Sequence, residues 1–319
     1  MKYFKIFAPL GLVFVFLIYA FFPVRTHKTV EITYGKSSVD IAMILYREGL
    51  LKSPLSFIVI HTFLRDKLEA GEYEFSGLVF PWDVYLKISR GQRKLYKITI
   101  PEGYDIYDIA SLLEKYSICK AEDFIELANS PDTAKKYGLK TYTMEGFLFP
   151  DTYYFSKNTH PMRIIDTMFR NFLKRTESLR SQLEEKELTL EEWVIIASMI
   201  EKETGVDEER PLVSSVIYNR IKKGMALQID PTVIYALKRR AEWNGKLTRK
   251  HLQLEDPYNT YYYKGLPPSP ICNPGIKSLE AALNPAKTNY LYFVSMGNGR
   301  HVFSSSYEEH LKNIAMYRR

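Results

Sequence analysis

Thr189-Leu-Glu-Glu-Trp-Val-Ile-Ile-Ala-Ser-Met-Ile-Glu-Lys-Glu-Thr204 is the stretch on which the reading of this chain turns. Thr189 with Glu192 forms a capping box, and the run from Trp193 to Ile200 is almost wholly apolar. A buried helix therefore opens at Thr189 and ends near Gly205. Two carboxylates, Glu201 and Glu203, close it. A carboxylate beside an apolar surface loses hydration, so its acid form is favoured and its proton affinity climbs toward neutral pH. A general acid for glycosidic cleavage needs that property. The neighbours one turn back separate the two residues. Glu201 stands over Ala197 and Ser198, which leave room for a ligand, whereas Glu203 stands over Met199 and Ile200, which fill space. Glu201 is the expected acid, and Glu203 is expected to pack or to face solvent.

Toward the C-terminus, Pro211 to Lys223 reads as a helix. In Gln228-Ile-Asp-Pro-Thr232, Asp230 is the expected N-cap and Pro231 the first residue of a helix to Arg240. Capping does not exclude Asp230 from facing a cleft. Tyr258 to Pro274 is rich in Pro, Gly, Asn and Tyr and reads as loop. Within it, Tyr258, Asn259, Thr260 and Tyr261 offer aromatic faces and amides suited to stacking on sugar rings and bonding their N-acetyl groups. Tyr290–Ser295 and His301–Ser304 read as strands flanking Gly297-Asn298-Gly299, before a helix capped by Ser305 and Ser306. His301 has two readings, the orienter of a carboxylate or a satisfied strand residue.

Toward the N-terminus, Thr152–Phe155 is strand-like and helices follow from Met162 to Glu187. A repeat occupies the first third: Ile32-Thr33, Gly35 and Asp40-Ile41-Ala42 recur as Ile98-Thr99, Gly103 and Asp108-Ile109-Ala110. Each copy reads as a strand, a Gly turn, an amphipathic helix and a further helix, containing Phe57 and Phe124 respectively. Ala70–Phe75 alternates like a strand, and Trp82–Ser89 is helical. The repeated unit is either plain α/β packing or a LysM-like carbohydrate-binding module. The fold class is α+β, in three parts: a tail and transmembrane anchor (1–27), a LysM-like α/β subdomain (28–130) and an α+β catalytic domain (131–319).

The anchor rests on Ile6 to Phe22, an apolar run at the short end of a bilayer-spanning helix. Its exit, Tyr19-Ala-Phe-Phe-Pro23, puts bulky aromatics where a cleaved signal peptide carries small residues, so the segment is expected to stay attached. A short tail before a large domain places that domain outside the cytoplasm.

Composition narrows the rest. Across 319 residues the net charge of +7 suits an anionic neighbour, but basic and acidic residues are interleaved, so nucleic acid is not an expected partner. The two cysteines, Cys119 and Cys272, build no disulfide framework and no CxxC. The six histidines lack metal-ligand spacing, and no Walker loop, GxGxxG or GxSxG occurs, which argues against zinc, nucleotides and serine hydrolase chemistry.

Seven motifs, in order, carry a resemblance. They are Glu145-Gly-Phe-Leu-Phe-Pro-Asp-Thr-Tyr153, Ala197-Ser-Met-Ile-Glu-Lys-Glu-Thr204, Gln228-Ile-Asp-Pro-Thr-Val-Ile-Tyr235, Tyr258-Asn-Thr-Tyr261, Gly265-Leu-Pro-Pro-Ser-Pro-Ile271, Asn273-Pro-Gly275 and His301-Val-Phe-Ser304. Together they resemble the endolytic murein transglycosylases, the YceG-like family, over nearly the whole chain. The resemblance implies that the first acid of Glu-Lys-Glu-Thr is catalytic, which maps onto Glu201. It implies substrate contacts among Gln228, Asp230, Tyr258, Asn259, Thr260, Tyr261, Asn273 and His301, with no cofactor and no metal. The implied reaction is lytic: one carboxyl protonates the glycosidic oxygen, then takes the proton of the muramic acid C6 hydroxyl as it closes on C1. It leaves a 1,6-anhydro end, on peptidoglycan strands whose elongation it terminates. The implied location is a single pass in the cytoplasmic membrane with the enzyme outside. The rivals are a non-catalytic envelope protein that binds peptidoglycan and recruits its synthases, and a pyridoxal-phosphate lyase. The latter needs an unprotonated lysine and a phosphate cradle, and neither stands out.

Overall fold

A computed structural model describes residues 14–317. The chain divides into two compact units, residues 1–97 with 154–158, and residues 98–153 with 159–319. The boundary expected at residue 130 does not coincide with this division, since the second copy of the repeat belongs to the second unit.

The first unit contains β1 (Val24–Ile32), α1 (Ser38–Arg47), α2 (Pro54–Leu64), β2 (Gly71–Val79) and α3 (Pro81–Ser89). β1 and β2 pair antiparallel from Val24 opposite Val79 to Ile32 opposite Gly71. Val30, Ile32, Tyr73 and Phe75 turn to a core completed by Ile41, Leu45, Phe57 and Tyr85. The expected anchor lies in part outside the described residues. Its described part, 14–21, is helical, and most of its side chains are exposed. Among the described residues no helix is long and apolar enough to cross a membrane.

Further along come β3 (Tyr96–Thr99), α4 (Ile106–Lys115), α5 (Ala121–Ala128), α6 (Pro131–Lys136) and β4 (Thr152–Phe155). α7 (Pro161–Arg175) and α8 (Glu177–Arg180) precede α9 (Leu190–Glu203), α10 (Arg210–Lys222) and α11 (Asp230–Arg239). α12 (Ile276–Leu283), the antiparallel hairpin of β5 (Tyr292–Ser295) and β6 (His301–Ser304), and α13 (Tyr307–Tyr317) end the chain. The chain units on either side of the division each carry one copy of the repeat, and the caps explain its recurring Asp-Ile-Ala. Asp40 and Asp108 are the third residues of α1 and α4, reaching back to the N–H of Ser37 and Asp105, while Ile41, Ala42, Ile109 and Ala110 are buried.

The second unit is organised on α9. Its capping box forms as expected, Thr189 Oγ1 accepting from Glu192 N at 3.2 Å and Glu192 accepting from Thr189 N at 3.0 Å. All residues from Trp193 to Ile200 are buried, because α10, α11 and α12 pack around the helix. Trp193 is the anchor: fully buried, it still donates Nε1 to Leu279 O of α12 at 2.8 Å. A buried indole of this kind is typically worth about 3–5 kcal/mol against alanine.

Candidate active site

The two glutamates that end α9 have opposite surroundings, and not those expected. Glu201 is almost fully buried. Its Oε2 receives Arg210 Nη1 at 3.2 Å, Ser278 Oγ at 2.7 Å and Gly275 N at 3.1 Å. Arg210 is itself fixed, its Nη1 also donating to Ser278 Oγ and its Nε to Asp207 Oδ1 at 3.0 Å. Nearby Glu102 is pushed above the usual carboxylate range by burial and then by the Glu201 charge. Glu201 thus sits as the buried anion of an ion pair joining α9, α10 and α12.

Glu203 has no hydrogen-bond or ion-pair partner among the described residues. Its carboxyl borders a cavity of about 200 Å³ shared with Arg220, Gln228, Asp230 and Tyr261. Phe293 and Val294 of the hairpin and His310 of α13 close the other side. Burial, reinforced by the charge of Asp230 and opposed by Arg220, pushes Glu203 up to about 8. A carboxyl in that state is protonated near neutral pH and has no internal acceptor for its proton.

The small residues one turn below Glu201 have a packing role. Ala197 and Ser198 are small to admit the chain of the following loop, not a ligand. Ser198 Oγ accepts from Ile271 N at 3.1 Å, and Ser198 O accepts from Cys272 Sγ at 3.3 Å.

Of the expected substrate contacts, Gln228, Asp230 and Tyr261 line the cavity beside Glu203. Asp230 is a correction as a cap. It is already the first residue of α11, and its Oδ1 accepts the Tyr261 hydroxyl at 2.5 Å. Gln228 lies in the left-handed region at φ 53°, held there as its N–H donates to Thr260 O at 3.1 Å and its Oε1 accepts from Arg220 Nη1 at 3.2 Å.

The other expected contacts are held by hydrogen bonds within the frame. Tyr258 is buried, its hydroxyl sharing hydrogen bonds with Ser269 at 2.5 Å and Tyr142 at 3.0 Å. Asn259 donates to Leu252 O and Leu254 O and accepts from Tyr261 N. Thr260 Oγ1 receives Ile229 N at 2.9 Å and meets Thr232 Oγ1 at 3.0 Å, clasping the two loops together. Asn273 accepts from Leu148 N at 2.8 Å and donates to Tyr104 O and Glu145 Oε1. His301 takes its orienting reading, on another acid: its Nδ1 lies 2.7 Å from Glu209 Oε2 and its N–H donates to Oε1 at 2.9 Å. Burial acts to raise Glu209, but the His301 hydrogen bonds outweigh it and hold the carboxyl below its ordinary value.

Two further residues are not among the expected site residues. Arg220 donates to Leu291 O, Ala226 O and Leu227 O as well as to Gln228, tying the cavity's loop to the hairpin. Its signal was a cation in register with buried Val213 and Ile217 on α10. Glu145, fully buried, accepts from Ile106 N at 3.0 Å, Tyr235 hydroxyl at 2.9 Å and Asn273 Nδ2 at 3.0 Å. Burial and then the charge of Asp105 raise it well above the carboxylate range. Its signal was one acid in an otherwise apolar Glu145-Gly-Phe-Leu-Phe-Pro.

No group of His, Cys, Asp and Glu among the described residues has a metal-holding arrangement. The sequence pattern of the YceG-like family matches residues 30–316. An endolytic murein transglycosylase of Bacillus subtilis is 33% identical over 313 residues, covering 92% of this chain and 85% of the relative. One of Streptococcus pneumoniae is 30% identical over 328 residues, 91% of this chain but only 58% of the relative's length. A crystal structure of a YceG-like protein from Listeria monocytogenes aligns with TM-score 0.62 at 34% identity, covering 90% of this chain and 98% of that one.

Proposed function

The chain belongs to the YceG-like family, and on that premise we propose that it is an endolytic murein transglycosylase whose acid is Glu203. The observation that carries this reading is the Glu203 carboxyl: unpartnered, at the edge of a polar cavity, and protonated up to about pH 8.

A glycan strand lies with a MurNAc–GlcNAc linkage against Glu203. The carboxyl proton passes to the glycosidic oxygen as its bond to C1 breaks, leaving positive charge on the muramic acid ring. Asp230, its carboxylate held by the Tyr261 hydroxyl, supplies negative charge to the same cavity in fixed orientation. The Glu203 carboxylate then takes the proton of the C6 hydroxyl as that oxygen closes on C1. The acid is regenerated, the product end is 1,6-anhydro, and no water is consumed. Ordinary glycosidases divide these tasks between two carboxyls. Here one serves twice, and Asp230 acts by charge.

The finer reading has the enzyme fixed to the cytoplasmic membrane by Ile6–Phe22, with its catalytic unit on the outer side, where it ends the growth of nascent strands. The first unit engages the strand without doing chemistry. The test of the activity is incubation of the purified protein with glycan strands and analysis of the ends. Anhydro ends that vanish in Glu203→Gln support it. Reducing ends would mean a hydrolase, and binding without new ends a scaffold.

A further inference from the structure

We propose that the end of the first unit where the N-terminal segment enters β1 is a bilayer-contacting face, its occupant the interfacial layer of an anionic membrane. This rests on the anchor reading above and adds a second contact to it. Four large apolar side chains lie at that end of the β1–β2 ladder. Val24 pairs with Val79 and Arg25 with Leu78, so Phe22, just before β1, and Phe80 and Trp82, just after β2, belong to the same end of the ladder. All are open to solvent: Phe22 59%, Leu78 61%, Phe80 45% and Trp82 48% exposed.

Soluble surfaces seldom gather large exposed apolar side chains at one end without a partner. Nothing about the fold of this unit requires them, because its core is complete on the other faces of β2 and α3, through Phe75, Val79, Val84 and Tyr85. The helical residues 14–21 lead into β1 at this end. Cations flank it as headgroup phosphates require: Arg25 is the cross-strand neighbour of Leu78, and Lys52 stands 5.9 Å from the Tyr19 ring. The acids nearby are engaged, Asp83 accepting from Phe80 N and Glu48 pairing with Lys28. A Trp and Phe pair beside basic residues, at the root of an apolar segment, has the chemistry of the aromatic layer at a membrane surface.

The test uses the full chain, one copy per nanodisc of phosphatidylcholine and phosphatidylglycerol, with bromine on the lipid chains near the headgroup. Trp193 is buried in the second unit, so the emission difference between wild type and W82F isolates Trp82 above the background of Trp243. The expected result is strong bromolipid quenching of that difference, and several-fold weaker quenching in L78D, which alters an exposed position and leaves the core intact. Disc-bound chain whose Trp82 resists bromolipid but is reached by acrylamide overturns the face alone. Protection from acrylamide only with two copies per disc assigns the face to a second copy and overturns it too. Failure of the chain to enter discs sinks the anchor reading and this face together.

Discussion

Arg210 holds Glu201 in a buried ion pair, Nη1 to Oε2 at 3.2 Å, two residues before a glutamate that has no such partner. The pair supplies a built-in contrast between structure and chemistry at the end of one helix. Glu203→Gln should lose about 10²–10⁴-fold in anhydro-end formation, because glutamine cannot deliver the proton. It should melt no lower than wild type. Glu201→Gln leaves Arg210 short of its buried anion and should cost about 3 kcal/mol in urea unfolding. At equal folded concentration it should keep most of its activity. The reverse pattern would return the acid role to Glu201.

The pH profile follows from the same residue. On the proposed mechanism Glu203 acts in its protonated form, so activity should fall as pH rises through about 8. Asp230→Asn removes a charge that raises Glu203, so the alkaline limb of kcat/KM should move to lower pH. A carboxyl raised from 4.5 to about 8 also makes the folded state less stable toward alkaline pH. Between those values the folded state keeps a proton the unfolded chain has released, so unfolding free energy declines as pH rises. Glu203→Gln should flatten that decline, read from urea midpoints across the interval.

Gly146 should not tolerate a side chain. Its φ is +88°, and a Cβ would come 2.5 Å from Pro270 and 2.7 Å from Val194. Strain and overpacking together should cost Gly146→Ala about 3 kcal/mol, measured by chemical denaturation.

Residues 131–319 should fail to fold alone. Segment 98–130 supplies the Asp105 and Asp108 partners of Lys238, at 2.6 and 2.8 Å, and the Ile106 N–H on Glu145. Limited proteolysis and circular dichroism of that fragment should show an open chain.

Much of this was legible because it was local. The capping box at Thr189, the hairpin at Gly297-Asn298-Gly299 and the burial of Trp193–Ile200 are all set by residues close in sequence. The choice between Glu201 and Glu203 was not local. It depends on Arg210 and Ser278 reaching one carboxylate and on Asp230 facing the other, and no helix periodicity encodes those approaches. The partners of the Tyr258–Tyr261 loop are not local either. Hydrogen bonds to Ser269, Leu252 O and Ile229 N use most of its polar groups internally. Tyr261 alone of the four is among the cavity's lining residues.

Glu145 joins Ile106, Tyr235 and Asn273, partners separated from it by 39, 90 and 128 residues. Contacts of such span form slowly, because long loops must close before any of them is rewarded. During synthesis this knot has to wait for Asn273, and the Glu201 ion pair for Ser278, so neither helix-end glutamate acquires its final surroundings until the last segment of the chain has been made. The nascent enzyme is therefore kept idle by its own topology, and a polypeptide released before Ser278 carries both acids of α9 without the environment that tells them apart.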